Sequence, residues 1–412
     1  MKILLYGINY EPELTGVGKY TGEMARWLVT RGHDVRVVTA MPYYPQWKVN
    51  GKNWYRREIL GGVQVWRCPL YVPPNPSGLK RVLNLASFAL TSIPIMLRQI
   101  FWRPDVVWVV EPALICTPGG LIVALLSGAK TWLHIQDFEV DGAFDLGLVK
   151  SHTLKRIALV CERLVMKCFD RVSTISDNML LLLQSKRVAT HKTYFFPNWV
   201  DTAFIKPISI HESKHSSNRV ISYRSEWGIP DEAIIALYSG NMGEKQGLET
   251  VIDAARKLHD EKSIFFVMCG DGAAFPRLRK MALELKNIHW IPLQPFNCLN
   301  ELLNVADIHL LPQLAGAADL VMPSKLTGIF ASGRPVVATA EYGTGIYKTV
   351  AKSGGGILVA PNNSEDLASA IIELADNPEK RQHLGSSARD YAIKHFDINE
   401  ILSRFESELM GL

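Results

Sequence analysis

Three stretches of this chain bring together residue types that handle negatively charged ligands. Tyr238-Ser239-Gly240-Asn241-Met242-Gly243-Glu244-Lys245-Gln246-Gly247-Leu248 joins an apolar run to a helical pattern through three glycines and one lysine. Such a turn offers backbone N–H groups and a helix N-terminus to an anion, and Lys245 adds a full positive charge. Asp319-Leu320-Val321-Met322-Pro323-Ser324-Lys325-Leu326 is the second stretch. Pro323 stiffens it, and Ser324 and Lys325 supply donors at its end. Two lysine-bearing loops at equivalent edges of one sheet would make a diphosphate clamp. The third stretch contains Gly16-Val17-Gly18-Lys19-Tyr20-Thr21-Gly22, one residue off the dinucleotide fingerprint. Gly16 and Gly18 let backbone approach a ligand closely and leave N–H groups for its oxygens, or they simply make a tight turn. The next strand ends at Thr39, where a nicotinamide site needs an acidic ribose ligand, so a dehydrogenase is disfavoured.

Other chemistry is excluded by what the chain lacks. It has no Walker loop, no His-Glu-x-x-His, no Gly-x-Ser-x-Gly and no Asp-x-Asp. A diphosphate would therefore be neutralised by Lys, Arg and helix N-termini, with neither a metal nor a cofactor. His134 closes the apolar run Lys130–Ile135, and Asp137 and Glu139 follow in a polar loop. Either carboxylate suits a general base for a hydroxyl, or a helix cap. A histidine at a strand end is more often a satisfied core residue. Glu111-Pro112 sets a further carboxylate after the run Val106–Val110.

Those residues need a scaffold, and 412 residues at about 100–200 per domain suggest two. Apolar residues make up 48% and charged residues 21%, the balance of a folded chain and not of a disordered one. A net charge of +5 does not demand nucleic acid; acidic small molecules or an anionic membrane surface fit as well. The six cysteines form no Cys-x-x-Cys pair and read as small buried hydrophobes in a reducing compartment. At the amino terminus Ile3–Tyr6 is too short for a signal-peptide core, which predicts a cytoplasmic protein.

Apolar runs alternate with helical patterns along both halves. Lys2–Asn9, Val35–Thr39, Val63–Cys68, Val106–Val110, Lys130–Ile135 and Val172–Ile175 read as strands in the first half. Ile234–Ser239, Ile264–Cys269, Ile288–Ile291, Ile308–Leu311, Pro335–Thr339 and Gly356–Val359 do so in the second. Helices are expected near Tyr20–Thr30, Leu154–Lys167, Leu248–His259, Ala274–Leu285 and Leu299–Val305. This grammar predicts an α/β protein of two doubly wound domains facing across a cleft. The first would span residues 1–200 and the second 201–395, with a hinge at Pro197–Pro207. A terminal helix over 396–412 could pack on either. Val82–Leu97 is uncharged between Lys80-Arg81 and Arg98 with Arg103, but shorter than the ~20 residues of a bilayer span. A buried helix is the simpler reading, a helix lying in the membrane interface the other.

The residues of 10–20, 42–47, 134–137, 195–199, 240–247 and 323–326 together resemble the retaining family 4 glycosyltransferases of GT-B fold, over nearly the whole chain. The resemblance is greatest to enzymes of colanic acid biosynthesis. It implies a nucleoside-diphosphate sugar donor, GDP-fucose in that subgroup. It implies a lipid-linked oligosaccharide acceptor and a place on the inner face of the membrane, in exopolysaccharide synthesis. Lys245 matches the family's lysine on the donor diphosphate, and His134 its histidine near the transferred sugar. Asn241 stands where the family has an arginine, leaving Lys325 to replace that charge. Gly328 replaces the second of two glutamates eight positions apart, and Asp319 lies one position off the first. These departures keep two alternatives open: a sugar-nucleotide epimerase of the same fold, or a catalytically silent subunit.

Overall fold

A computed structural model describes residues 1–13, 16–44, 46–74, 78–112, 114–140, 152–208, 219–316 and 324–412. The chain divides into two compact units, Met1–Pro197 with Leu402–Leu412, and Asn198–Ile401.

The first unit holds an eight-stranded sheet of β1 (Lys2–Tyr6), β2 (Asp34–Ala40), β3 (Arg56–Leu60), β4 (Val63–Cys68), β5 (Val106–Glu111), β6 (Lys130–Ile135), β7 (Arg171–Thr174) and β8 (Thr193–Phe195), ordered β3-β4-β2-β1-β5-β6-β7-β8. Every pair is parallel except β3 with β4. The central strands are buried on both faces, as their unbroken apolar runs require. Helices α1 (Val17–Thr30), α2 (Gly78–Gln99), α3 (Thr117–Ser127), α4 (His152–Lys167) and α5 (Asp177–Ser185) connect them. Strand order reverses between β1 and β5, so a crevice is expected where the loops after Tyr6 and Glu111 diverge.

The second unit is a six-stranded, wholly parallel sheet ordered β11-β10-β9-β12-β13-β14. Its strands are β9 (Ile234–Ser239), β10 (Ile264–Cys269), β11 (Ile288–Ile291), β12 (Ile308–Leu311), β13 (Val336–Thr339) and β14 (Gly356–Val359). The helices in chain order are α6 (Arg219–Glu226), α7 (Leu248–Lys257), α8 (Phe275–Met281), α9 (Leu299–Val305), α10 (Ser324–Ala331), α11 (Gly345–Ser353), α12 (Ser364–Asp376) and α13 (Pro378–His395). Here the reversal lies between β9 and β12, the strands that lead into the two lysine-bearing stretches.

The last helix, α14 (Ile398–Met410), starts in the second unit and carries Leu402–Leu412 into the first. Phe405 packs against Trp108, Trp132 and Phe196 with ring centroids 4.9, 5.1 and 4.6 Å away. Glu406 takes His33 at 2.9 Å and Arg31 at 3.1 Å, and Glu408 takes Arg171 at 2.7 Å.

The largest differences from the expected extents are three. β1 stops at Tyr6, α1 begins at Val17, and α8 ends at Met281. The edge strand β3 carries Arg56, Arg57 and Glu58, so an apolar-run reading passes over it.

Candidate functional site

In the second unit, glycine lets three segments meet at one sheet edge. After β9, the Gly240 N–H donates to the Cys269 carbonyl at 2.9 Å and the Met242 N–H to that of Asp271 at 2.8 Å. A Cβ on Gly270 would fall 2.0 Å from the Gly240 oxygen, and one on Gly272 2.5 Å from that of Met242. Only bare Cα atoms permit the approach. Gly240 has φ 130°, and a Cβ there would strike Lys325 Cε at 2.4 Å, so the lysine stem from the start of α10 lies against the glycine.

Lys325 Nζ donates to the Tyr238 hydroxyl at 2.7 Å and stands 4.2 Å over the centre of that ring. The Tyr238 hydroxyl donates in turn to the Asn241 carbonyl at 2.6 Å. No carboxylate among the described residues forms an ion pair with Lys325. Burial pushes its ammonium down to about 8. A buried cation without a counter-charge is costly, and an arriving anion would relieve the cost.

Lys245 lies in the short 3-10 turn Glu244–Gln246, and Gly247, with φ 64°, leads into α7 without a side-chain cap. The acidic residues beside it are engaged elsewhere: Arg277 of α8 holds Glu244 at 2.6 Å and also pairs with Glu249. Asn241 is exposed in the same loop, and Ser324 begins α10. Asp319 lies outside the described residues. The structure thus brings together the backbone around Asn241 and Lys245 with Lys325.

Gly16 and Gly18 belong to the first unit, and they differ. A side chain on Gly16, φ 58°, would meet open space. One on Gly18 would meet Glu13 at 3.0 Å, so the bare Cα of Gly18 serves the packing of its own loop. Glu13 itself is a residue that motif reading passed over. Its buried carboxylate accepts from the Tyr43 and Tyr44 N–H groups at 3.0 Å each and from Asn9 at 2.8 Å. It thereby ties the loop after β1 to the one after β2; sequence carries no signal of that pairing beyond the neighbouring parallel strands.

His134, the histidine assigned a catalytic role from the sequence, is a buried residue of its own unit. It lies inside β6, 3% exposed, with Nδ1 2.8 Å from the Ser173 hydroxyl. Trp108 and Phe196 flank its ring at 5.3 and 5.2 Å. Burial lowers its pKa to about 3, so it is neutral at physiological pH and walled from solvent. Strand alternation puts His134 on the face of Trp132, which α14 covers.

Asp137 is exposed just beyond the strand. Glu139 accepts from the Leu114 N–H at 2.8 Å, and burial raises its carboxyl to about 7. Glu111, at the end of β5, is fully buried; desolvation, with Glu139 and Glu162 nearby, holds it well above the usual carboxylate range. A carboxyl titrating near neutrality suits proton exchange with a hydroxyl.

A model of the glycosyl transferase 4-like domain matches residues 15–199, and one of glycosyl transferases group 1 matches residues 220–391. The chain belongs to the GT-B glycosyltransferases. Over 421 aligned residues it is 45% identical to WcaI of Escherichia coli K12, named for a glycosyl transferase of colanic acid biosynthesis, and the match covers all of both chains. The probable glycosyltransferase WbjE of Pseudomonas aeruginosa is 26% identical over 58% of this chain and 59% of its own. Among solved structures, sucrose-phosphate synthase of Thermosynechococcus elongatus superposes with TM-score 0.76 at 16% identity, over 100% of this chain and 98% of that one. Anabaena HepE, solved with UDP-glucose, gives 0.72 at 14% identity over the full length of both. At such identities these two structures speak for the glycosyltransferase fold alone.

Proposed function

We propose that this glycosyltransferase moves a sugar, fucose from GDP-fucose by its likeness to the colanic acid subgroup, onto a lipid-linked oligosaccharide in exopolysaccharide biosynthesis. Transfer proceeds with retention and without a metal ion. The observation that carries the donor half is the buried Lys325 against the bare Gly240, without a carboxylate partner among the described residues, in one edge with the Lys245 turn. Lys325 and the uncapped start of α7 would meet the charge that grows on a diphosphate as the glycosidic bond breaks, and Lys245 is assigned to the same diphosphate. Asn241 adds a donor, and Ser324 and Asp319 are further donor-binding assignments made from the sequence. In the first unit Gly16 lies at the crevice, and Asp137 or Glu139 takes the acceptor proton; the near-neutral Glu139 is the better matched.

The acceptor half rests on α2. Its inner side packs Phe88 and Met96 into the core and is tied down by polar contacts: Tyr6 and Ser92 hydroxyls meet at 2.6 Å, Tyr43 donates to Asn84 at 3.2 Å, and Arg36 donates to Gln99 at 3.1 Å. Its outer side exposes Leu79, Val82, Leu83, Leu90, Ile93 and Leu97, with Phe101 just beyond at 89%. The helix is therefore not buried, which corrects the simpler reading. An apolar stripe flanked by Lys80, Arg81, Arg98 and Arg103 matches an anionic inner-membrane surface, with the rest of the protein in the cytoplasm.

Release of nucleoside diphosphate from candidate sugar nucleotides, with and without a lipid-linked acceptor, tests the proposal. Acceptor-dependent release that persists in EDTA is expected. Release that stops on chelation and returns with Mn²⁺ overturns the metal-free mechanism, and sugar interconversion without acceptor points to an epimerase. On vesicles with anionic lipid the protein should float. Replacing the four basic residues with Gln should return it to the soluble fraction, at about 1 kcal/mol per charge; a wild type that never floats removes the membrane from the account.

A further inference from the structure

The first unit contains a cavity of about 460 Å³ that neither the donor site nor the α2 face uses. Its size falls in the ≈ 300–1,000 Å³ range of small-molecule sites. Five charged side chains line it: Glu11 from the loop after β1, Arg26 of α1, Arg56 and Glu58 of β3, and Arg67 of β4. Met41 and Leu60 add apolar wall.

The cavity is built by local geometry. Period-two alternation turns Arg56, Glu58 and Leu60 to one side of β3, while Arg57 stacks on Trp66 on the other at 5.0 Å. The β3–β4 turn has φ 54° at Gly61, where a Cβ would lie 2.5 Å from Arg26 Cδ. The bare Cα lets the Arg26 stem pass and pair with Glu11. Arg67, buried at the floor, has all three nitrogens engaged: it donates to Glu58 at 2.8 Å and to the Ala40 and Glu11 carbonyls.

Arg56 and Arg26 are different. Their side chains are 64% and 42% exposed, and each spends its fork on one carboxylate, Arg56 on Glu58 at 3.1 Å. Each guanidinium has five N–H donors, so donors remain for a ligand. Three guanidiniums against two carboxylates leave one unbalanced positive charge. A nucleoside diphosphate carries too much negative charge to sit against Glu11 and Glu58. A sugar ring fits otherwise: hydroxyls accept from the arginines and donate to the glutamates, C–H faces lie on Met41 and Leu60, and one carboxylate balances the charge.

We propose that this cavity binds a singly anionic sugar ring, a hexuronate unit of the acceptor away from the point of transfer. The assignment to the acceptor rests on the glycosyltransferase reading above; the binding of the ring does not. The test is saturation-transfer NMR on the full chain with D-glucuronate and methyl glucoside as probes. Glucuronate should bind, methyl glucoside more weakly. Arg56→Gln and Arg26→Gln should each weaken glucuronate by at least about tenfold, the worth of one charge-assisted hydrogen bond. Arg56→Gln should melt as the wild type does, its side chain being mostly exposed. Thermal shift by GDP and UDP, read in parallel, reports the donor site separately and should be the same in both variants. Absence of a glucuronate signal, equal binding of the neutral glucoside, or unchanged affinity in both variants overturns the proposal.

Discussion

His134 in the first unit and Lys325 in the second are both basic side chains withdrawn from water near the carboxyl edge of a parallel sheet. Their surroundings set them apart. His134 has aromatic rings on two sides and a hydroxyl on Nδ1, and its pKa of about 3 keeps it neutral. Lys325 has a phenol beneath it, a bare Cα beside it and, among the described residues, no carboxylate paired with it, and its pKa of about 8 leaves it mostly charged at neutral pH. The imidazole is a finished part of a core. The ammonium awaits a counter-charge. A buried base indicates chemistry when its environment is incomplete, and burial alone does not distinguish the two cases.

The largest effect that sharpens this contrast is expected in the glycine-rich turn after β9. Lys245→Ala should lower kcat by ~10²–10³, the usual cost of one preorganised charge-stabilising group. Its melting temperature should hold, because a loop truncation costs within about ±0.5 kcal/mol. Exposed Lys262→Ala is the fitting control. Lys192 is not, since its ammonium donates to the Phe169 and Lys167 carbonyls at 2.8 and 3.1 Å. Near-full turnover in Lys245→Ala would place the diphosphate elsewhere.

The smallest effect is expected at His134. An acid–base role would make His134→Asn lose ~10²–10⁴ in rate; the core role predicts a change of less than about threefold. Stability carries the signal instead, with His134→Ala costing about 2–4 kcal/mol for the cavity it opens. The folded pKa lies below the ordinary value of 6.5, so the unfolded chain binds more protons between pH 3 and 6.5. Stability should therefore rise with pH through that window, and the contribution should vanish in His134→Asn. A large rate loss at unchanged melting temperature would instead place the histidine in the chemistry.

The same contrast shows which features were legible in the amino-acid order. Buried parallel strands announce themselves as unbroken apolar runs, and β4, β6, β9, β10, β11, β12 and β14 begin and end where those runs do. The turn around Lys245 was legible because glycine, lysine and a following helix are all local. The fate of His134 was not. It depends on Phe405, 271 positions away, whose helix covers the face that Trp132 and His134 share. Glu13 joins Tyr43 and Tyr44 across two strands, and Arg26 reaches Glu11 past Gly61; both rest on contacts that no spacing rule encodes. Edge strand β3 was missed because edges carry charge where interior strands carry valine.

The central claim, that the β9 edge of the second unit holds a diphosphate on an uncompensated lysine, is tested most directly by the pH dependence of GDP and UDP affinity. Lys325 titrates near 8 in the free protein, below its ordinary 10.5, so without ligand the stability should rise with pH between those values. Ligand binding should do the opposite. A diphosphate favours the charged ammonium, so binding takes up a proton above pH 8, and affinity falls by up to about tenfold per pH unit. Calorimetry of the full chain from pH 7 to 9.5 should show that decline together with proton uptake. In Lys325→Met, which keeps the apolar stem, affinity should be lower throughout and flat with pH. Wild-type affinity that stays level across the range, or a decline that persists unchanged in Lys325→Met, would contradict the claim.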